Sequence, residues 1–308
     1  MQQKWFVIIN PTSGNGKSKK RWLAISNELS KNNIEFEFEF TDYSKHSTIL
    51  VQDYILKGFT NFISIGGDGT LHNIVNGILQ LNPNNLKDIK IGVIPIGTGN
   101  DWVKTYGIYT NYKKAIQIIK TEHTIEQDIG KIEFATMQSP YFFNNLAGIG
   151  FDGFVVNKVN KYKYLGFLAY LAGALISITN FKKNNLKIKF NSVELKGKSL
   201  MFLFGICKYS GGGMRLTKDV KINDGLFDIS YIENINLVTI IFNIFNLFNG
   251  KITNHKLVKT YKSNEIEVKI LSKHKAYIQA DGELIPTDHF KVSLLPKAIQ
   301  FIVPEVKS

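Results

Sequence analysis

The sequence predicts an α/β N-terminal domain with a parallel sheet and a mainly antiparallel β-sandwich domain at the C-terminus. Three observations carry this expectation. A chain of 308 residues, 44% of them hydrophobic, suits two cores better than one. Up to about residue 125, short runs of β-branched and aromatic residues alternate with stretches of helical period, the pattern of a parallel sheet covered on both faces. Beyond Asp128, strand patterns mostly follow strand patterns, as in an antiparallel sandwich or barrel. The expected domains are 1–125 and 126–308, with the change of rhythm over residues 121–130. The last strand is left free to return to the first domain.

Taken in order, residues 5–9 read as the first strand, followed by the turn formers Asn10-Pro11-Thr12-Ser13-Gly14-Asn15-Gly16. This is not a Walker A loop, because Pro11 stands where that motif needs its first glycine. Lys17, Lys19, Lys20 and Arg21 open a helix with Trp22, Ile25 and Leu29 on its apolar side. Basic residues there oppose the helix dipole, so an anion nearby and a merely solvated face stand as equal readings. Residues 34–40 alternate Phe or Ile with Glu, a half-buried strand closed by Thr41, and a helix covers about 47–56. Residues 61–65 form the third strand, with a helix at or just after Thr70; residues 89–96 form the fourth. Further strands are expected at 141–147, 186–190, 199–206, 227–232, 266–271 and 276–280, with helical pieces near 154–179 and 237–248. The apolar stretches 164–178 and 237–248 fall short of the ~20 residues that span a bilayer.

The net charge of +13 favours a partner with many negative charges, either nucleic acid or an anionic membrane surface. No nucleic-acid motif is present. Cys207 is the only cysteine, which excludes an internal disulfide and suits a reducing compartment; no signal-peptide pattern opens the chain. The expectation is a cytoplasmic protein.

The chemistry concentrates at Ile65-Gly66-Gly67-Asp68-Gly69-Thr70, where a strand turns sharply into a helix. Backbone N–H groups at a helix start, with no Cβ in the way, suit a phosphate. Asp68 would repel that phosphate unless a cation sits between them; the plainer alternative is a βα turn with a capping Asp. The loops at Asn10, Thr41, Gly66 and Gly97 all follow parallel strands, and ligands of such sheets bind beyond the C-terminal strand ends. In the second half, Asn223-Asp224-Gly225 and Asp281-Gly282 are strong turn signals in their own right.

Gly66-Gly67-Asp68-Gly69-Thr70 resembles the nucleotide motif shared by diacylglycerol and sphingosine kinases, NAD kinases and phosphofructokinases. Gly97-Thr98-Gly99-Asn100-Asp101-Trp102, Asn144 to Asp152, Gly211-Gly212-Gly213, Asn223-Asp224-Gly225-Leu226 and Asp281-Gly282-Glu283 are similar, in order, to segments of the bacterial diacylglycerol kinases. No counterpart of the NAD kinase Gly-Ser-Thr-Ala-Tyr stretch is found, and the all-β second half disfavours phosphofructokinase. Three departures stand out. Cys207 or Lys208 replaces a frequent Asn, Thr217-Lys218 replaces Ala-Pro, and Trp102 replaces Phe.

The resemblance implies an NAD kinase/phosphofructokinase-like first domain and an ATP-dependent lipid kinase with its nucleotide cleft between the domains. By it, Asn10, Pro11, Thr12, Ser13, Gly14, Thr41, Gly67, Asp68, Gly69, Thr70, Leu71, His72, Asn73 and Thr98 line the ATP. Asp68, with Asp101 and Asp128, holds a Mg²⁺, and Asp224 with the carbonyls of Lys221 and Leu226 forms a structural Mg²⁺ loop. Glu283 is the base that takes the proton from the lipid hydroxyl, with Asp281 orienting it or substituting for it. The substrate is a membrane lipid, foremost diacylglycerol; phosphatidylglycerol, a polyprenol and a sphingoid base remain open, as does a homodimer. Peripheral attachment to an anionic membrane, with Lys158, Lys161 and Lys163 as contacts, and no nucleic-acid partner complete the expectation. The competing classes are a nucleic-acid-binding protein and a lipid-transfer or regulatory protein that kept the fold without catalysis.

Overall fold

The computed structural model describes residues 4–97, 99–159, 181–233, 239 and 243–305. The chain divides into two compact units: one runs to Gln127 and takes back the chain from Lys297, the other is Asp128–Pro296.

In the first unit, β1 (Trp5–Ile9), β2 (Phe36–Phe40), β3 (Asn61–Gly66) and β4 (Lys90–Pro95) run parallel in the order β2-β1-β3-β4. β1 and β3 are buried along their whole length, which explains their unbroken apolar character. Edge strand β2 instead alternates: its Phe side packs on Trp22, and on its other side Glu39 accepts a hydrogen bond from Tyr54 Oη at 2.7 Å. The helices are α1 (Ser13–Lys31), α2 (His46–Leu56), α3 (Asp68–Leu81), α4 (Asp101–Thr105) and α5 (Tyr112–Thr121). The side chain of Asn111 starts α5 by accepting the N–H groups of Lys113 and Lys114 at 3.0 and 3.3 Å. α3 begins two residues before the periodicity suggests, because the helix opens on the glycine loop itself.

The second unit holds β5 (Thr124–Phe134, entered from the first unit), β6 (Tyr141–Phe143), β7 (Leu146–Gly150), β8 (Asn184–Phe190), β9 (Val193–Ser199), β10 (Met201–Gly205), β11 (Phe227–Ile232), β12 (Val258–Ser263), β13 (Glu265–Ile270), β14 (Ile278–Ala280) and β15 (Glu283–Ile285). One sheet has the order β12-β11-β10-β7-β14-β15, antiparallel throughout. Opposite it, β9, β8 and β13 pair antiparallel, and β13 continues onto the start of β16 (Phe290–Ile302). Between the layers lies an aromatic core that includes Phe143, Phe202, Phe204, Phe227 and Phe290. The far end of β16 pairs parallel with β4 at Gln300 and Phe301, within the first unit.

Two expectations need correction. The single strand expected over 141–147 is two, β6 and β7, because Asn144 and Asn145 leave the ladder to donate their N–H groups to Asp281. β5, β9 and β12 were not expected: charged and polar residues recur along each and dilute the apolar pattern. Of the helical piece near 154–179, α6 (Phe151–Val159) is described and the remainder lies outside the described residues; near 237–248 the described helix is Ile244–Asn249. Among the described residues no helix is long and apolar enough to cross a membrane.

Candidate active site

Three loops of the first unit meet beyond the C-terminal ends of β1, β3 and β4. After Ile9 the chain bends because Asn10 Oδ1 accepts the N–H and the hydroxyl of Thr12 at 3.1 and 2.8 Å. Asn10 Nδ2 donates to Thr70 Oγ1 at 3.3 Å, joining this loop to the start of α3. Gly14, Asn15 and Gly16 follow with φ of 61, 59 and 81°, three left-handed residues in a row. Only glycine takes that conformation freely, with Asn the next most tolerant, which is why this loop reads Gly-Asn-Gly. Such turns gather successive N–H groups into a concavity suited to an anion.

The glycine loops after β3 and β4 abut through bare backbone. A Cβ on Gly97 would lie 2.8 Å from the Gly67 Cα and 2.6 Å from Asn100 Oδ1; one on Gly66 would meet Thr70 Oγ1 at 2.2 Å. Asp68 then fastens the two loops, its Oδ2 accepting the Asp101 N–H at 2.9 Å and its Oδ1 the Trp102 N–H at 3.1 Å. The plainer alternative for Asp68 is therefore real: it caps α4. It also places the carboxylates of Asp68 and Asp101 on either side of Gly99, whose Cβ would lie 3.3 and 3.8 Å from them. Two neighbouring carboxylates beside a loop of amides are a donor set that fits a hydrated divalent cation. Lys104 Nζ donates to Asp101 Oδ1 at 2.8 Å.

The remaining residues expected around a nucleotide divide by exposure. Pro11, Ser13, Gly14, Thr41, Gly67, Gly69 and Asn73 are half-buried and Thr12 is exposed. Thr70, Leu71 and His72 are buried, and the His72 ring meets Asn76 Nδ2 at 3.3 Å, so those side chains belong to the core of α3. Thr98, Lys161 and Lys163 lie outside the described residues. Trp102, the departure from Phe, is buried; its indole N–H donates to Gln127 Oε1 at 2.8 Å, and the Tyr106 hydroxyl donates to the same oxygen.

In the second unit the Asp-Gly turn between β14 and β15 is a two-residue hairpin with φ of 51° at Asp281 and 81° at Gly282. The Asp281 carboxylate points back into the fold, where it accepts three backbone N–H groups: Asn144 at 2.9 Å, Asn145 at 2.9 Å and Leu146 at 3.1 Å. Glu283, two residues on, is exposed, and its carboxylate makes no hydrogen bond or ion pair among the described residues. The hairpin thus separates two carboxylates by role, one structural and one available.

A second support of this hairpin had no local signal in the sequence. Gln279 Oε1 accepts the Gly282 N–H at 2.8 Å, and Gln279 Nε2 donates to Asp152 Oδ2 at 3.0 Å. Asp152, at the start of α6, is desolvated by its surroundings, which pushes its carboxyl up from 3.8 to about 6; hydrogen bonds from Gln279 and Gly153 oppose that rise. Its Oδ1 is buried with no hydrogen-bond partner among the described residues.

Asp128 lies in the second unit, fully buried, where its Oδ2 accepts the Gly225 N–H at 2.8 Å and so pins the Asn223–Gly225 turn. Asp224 Oδ1 accepts the Leu226 N–H at 3.2 Å, and its Oδ2 accepts Lys262 Nζ at 3.2 Å. Lys262 also donates to the Asp219 carbonyl at 3.0 Å and lies 3.7 Å from the buried Asp228. In this structure a lysine 38 residues on, outside any local motif, donates into the turn expected to hold a structural Mg²⁺. Among the described residues no group of three or more His, Cys, Asp or Glu side chains is arranged to hold a metal ion. The two departures in this unit touch: Thr217 is buried and its hydroxyl donates to the Cys207 carbonyl at 3.1 Å.

The chain matches the diacylglycerol kinase catalytic domain over residues 4–132 and the YegS C-terminal NAD kinase beta sandwich-like domain over residues 145–303. It is 30% identical to a diacylglycerol kinase of Staphylococcus carnosus over 77% of this chain and 75% of that protein. With a diacylglycerol kinase of Bacillus subtilis it shares 25% identity over 98% and 97% of the two chains. A solved diacylglycerol kinase structure from Bacillus anthracis superposes with a TM-score of 0.73 at 21% identity, covering 98% of this chain and 97% of that one, a likeness of fold.

Proposed function

The chain belongs to the diacylglycerol kinase family and is a lipid kinase, and from this premise we propose that it transfers the γ-phosphate of ATP to the hydroxyl of diacylglycerol, giving phosphatidic acid. The observation that carries the proposal is the division of labour in the 281–283 hairpin. Asp281 is committed to three backbone N–H groups, while the Glu283 carboxylate is exposed and has no partner among the described residues. A hydroxyl nucleophile needs a carboxylate in that second condition.

In this reading Glu283 accepts the proton of the lipid hydroxyl as its oxygen bonds to the γ-phosphorus and the bond from phosphorus to the bridging oxygen of ADP breaks. The products are a lipid phosphomonoester and ADP, and the proton leaves on Glu283. Asp281 is a positioning residue: it fixes the turn that presents Glu283. The amides of Asn10–Gly14 and of the Gly66–Thr70 turn, with Thr41 and Asn73 beside them, receive the nucleotide's phosphate and ribose oxygens. A divalent cation would neutralise the phosphates, and Asp68, Asp101 and Asp128 are the carboxylates that would hold it. Asp224, with the carbonyls of Lys221 and Leu226, would hold a structural Mg²⁺ at a turn to which Lys262 also donates.

Peripheral attachment at the cytoplasmic face of a membrane completes the reading, because the substrate's acyl tails stay in the bilayer and the net charge is +13. The test is to incubate the protein with γ-labelled ATP and a total lipid extract and to identify the labelled product. Labelled phosphatidic acid is the expected result. Label in a phosphorylated polyprenol, phosphatidylglycerol or sphingoid base would name another substrate, and absence of label in any lipid would contradict transfer.

A further inference from the structure

Phe245 is 81% exposed, the most exposed of the large hydrophobic residues described. It sits on the short helix Ile244–Asn249, and this helix is not free-standing: the Arg215 N–H donates to the Leu247 carbonyl at 2.6 Å, and a Cβ on Gly250 would lie 3.3 Å from Arg215 Cδ. The loop that Arg215 closes is cationic and small. Gly211, Gly212 and Gly213 take φ of 58, 89 and 107°, and the Arg215 guanidinium lies 5.2 Å from the Tyr209 ring while donating to its hydroxyl at 3.2 Å. Lys208 and Lys251 flank the assembly and are exposed. No Asp or Glu occurs in residues 206–218 or 243–264, so this loop and helix bring no carboxylate of their own.

The same loop begins beside the catalytic hairpin. The N–H groups of Ile206 and Cys207 donate to the Asn145 carbonyl at 2.8 and 3.3 Å, and the Asn145 N–H is one of the three held by Asp281. A rigid path of one residue's backbone thus joins the cationic loop to the turn that presents Glu283.

We propose that Phe245, on the helix whose Leu247 carbonyl Arg215 holds and which Lys251 follows in the chain, is the element of this unit that docks on an anionic lipid surface. An exposed aromatic ring beside cations is the composition that inserts at a headgroup boundary while the cations meet lipid phosphates. A second copy of the chain is the wrong occupant, because a two-fold contact would press Lys208, Arg215 and Lys251 toward their own copies with no carboxylate from this loop or helix to meet them. The proposal rests on the lipid-kinase reading above, in which the substrate's acyl tails stay in the bilayer.

The experiment uses the full chain and vesicles of phosphatidylcholine, alone or mixed with phosphatidylglycerol. Phe245→Ser and the double variant Lys208→Glu, Lys251→Glu are each expected to bind the mixed vesicles roughly tenfold more weakly than wild type, with unchanged melting temperatures. Phe245→Trp is expected to bind normally, with its emission shifting to the blue on mixed vesicles only. Transfer to a short-chain diacylglycerol in solution should stay at the wild-type level in Phe245→Ser, while transfer to vesicle-borne diacylglycerol falls. Wild-type vesicle binding by both charge and ring variants would overturn the proposal, as would a dimer in sedimentation that Phe245→Ser dissociates. Loss of vesicle binding with no transfer to either form of lipid would keep the docking face and sink the kinase reading instead.

Discussion

Each of the carboxylates that matter here does something the others do not, and the difference lies in what its oxygens already accept. Asp281 terminates three backbone N–H groups, so Asp281→Asn puts an amide N–H against one of them and leaves donors unsatisfied. The expected cost is about 2–3 kcal/mol of stability, read as a lower melting temperature in calorimetry; an unchanged melting temperature would contradict the structural role. Any loss of transfer in that variant is then a loss of the hairpin, which is why Asp281→Asn alone does not identify the base. Asp152 titrates in an informative range. Its folded carboxyl, pushed up to about 6 by desolvation, keeps its proton where the unfolded chain, near 3.8, has lost it. The folded state therefore binds more protons across that interval, and this residue's contribution to stability falls as pH rises from about 4 to 6, then stays flat. At about 1.4 kcal/mol per unit the effect has a ceiling of about 3 kcal/mol. Denaturant unfolding of Asp152→Asn should show a shallower decline over that window; parallel curves for variant and wild type would refute it.

At the scale of elements, what was legible in the sequence was whatever has a local period or a local steric demand. The parallel strands β1, β3 and β4 are apolar because both faces are covered, and the run of Gly14 and Gly16 around Asn15 announces a left-handed turn. The glycine loop and the Asp-Gly hairpin were visible by the same means, whereas Glu283 came only from the resemblance to the lipid kinases. Partners that are distant in the chain were not. Nothing near Asp68 says that its carboxylate caps α4, nothing near Gln279 names Asp152, and nothing near Asp224 names Lys262. Trp102 read as a departure until Gln127 supplied the acceptor that an indole N–H needs and a Phe does not. The lysine in the Asp224 turn leads to a prediction about the element as a whole. Lys262→Met removes the cation shared by Asp224, Asp228 and the Asp219 carbonyl. Its melting temperature should drop in chelator and recover in millimolar Mg²⁺ or Ca²⁺, and by more than that of wild type, which keeps the lysine. Equal shifts in variant and wild type would contradict this.

For the whole molecule, the proposed transfer draws on two features in separate units: loops of backbone N–H groups on the parallel sheet and an exposed carboxylate on the antiparallel one. Composition pointed toward a polyanionic partner but left nucleic acid and membrane level; only the glycine motifs, taken as an ordered set, separated them. Lipid transfer without catalysis would keep the fold and the positive charge, yet it gives no use to an exposed Glu283 carboxylate, without a partner among the described residues, beside a fully committed Asp281. The most direct test compares wild type with Glu283→Gln, using saturating diacylglycerol, measuring ATP affinity and the rate of phosphatidic acid formation side by side. The account predicts unchanged ATP affinity and melting temperature with a transfer rate lower by about a hundredfold or more. A Glu283→Gln protein that forms phosphatidic acid at the wild-type rate would contradict it.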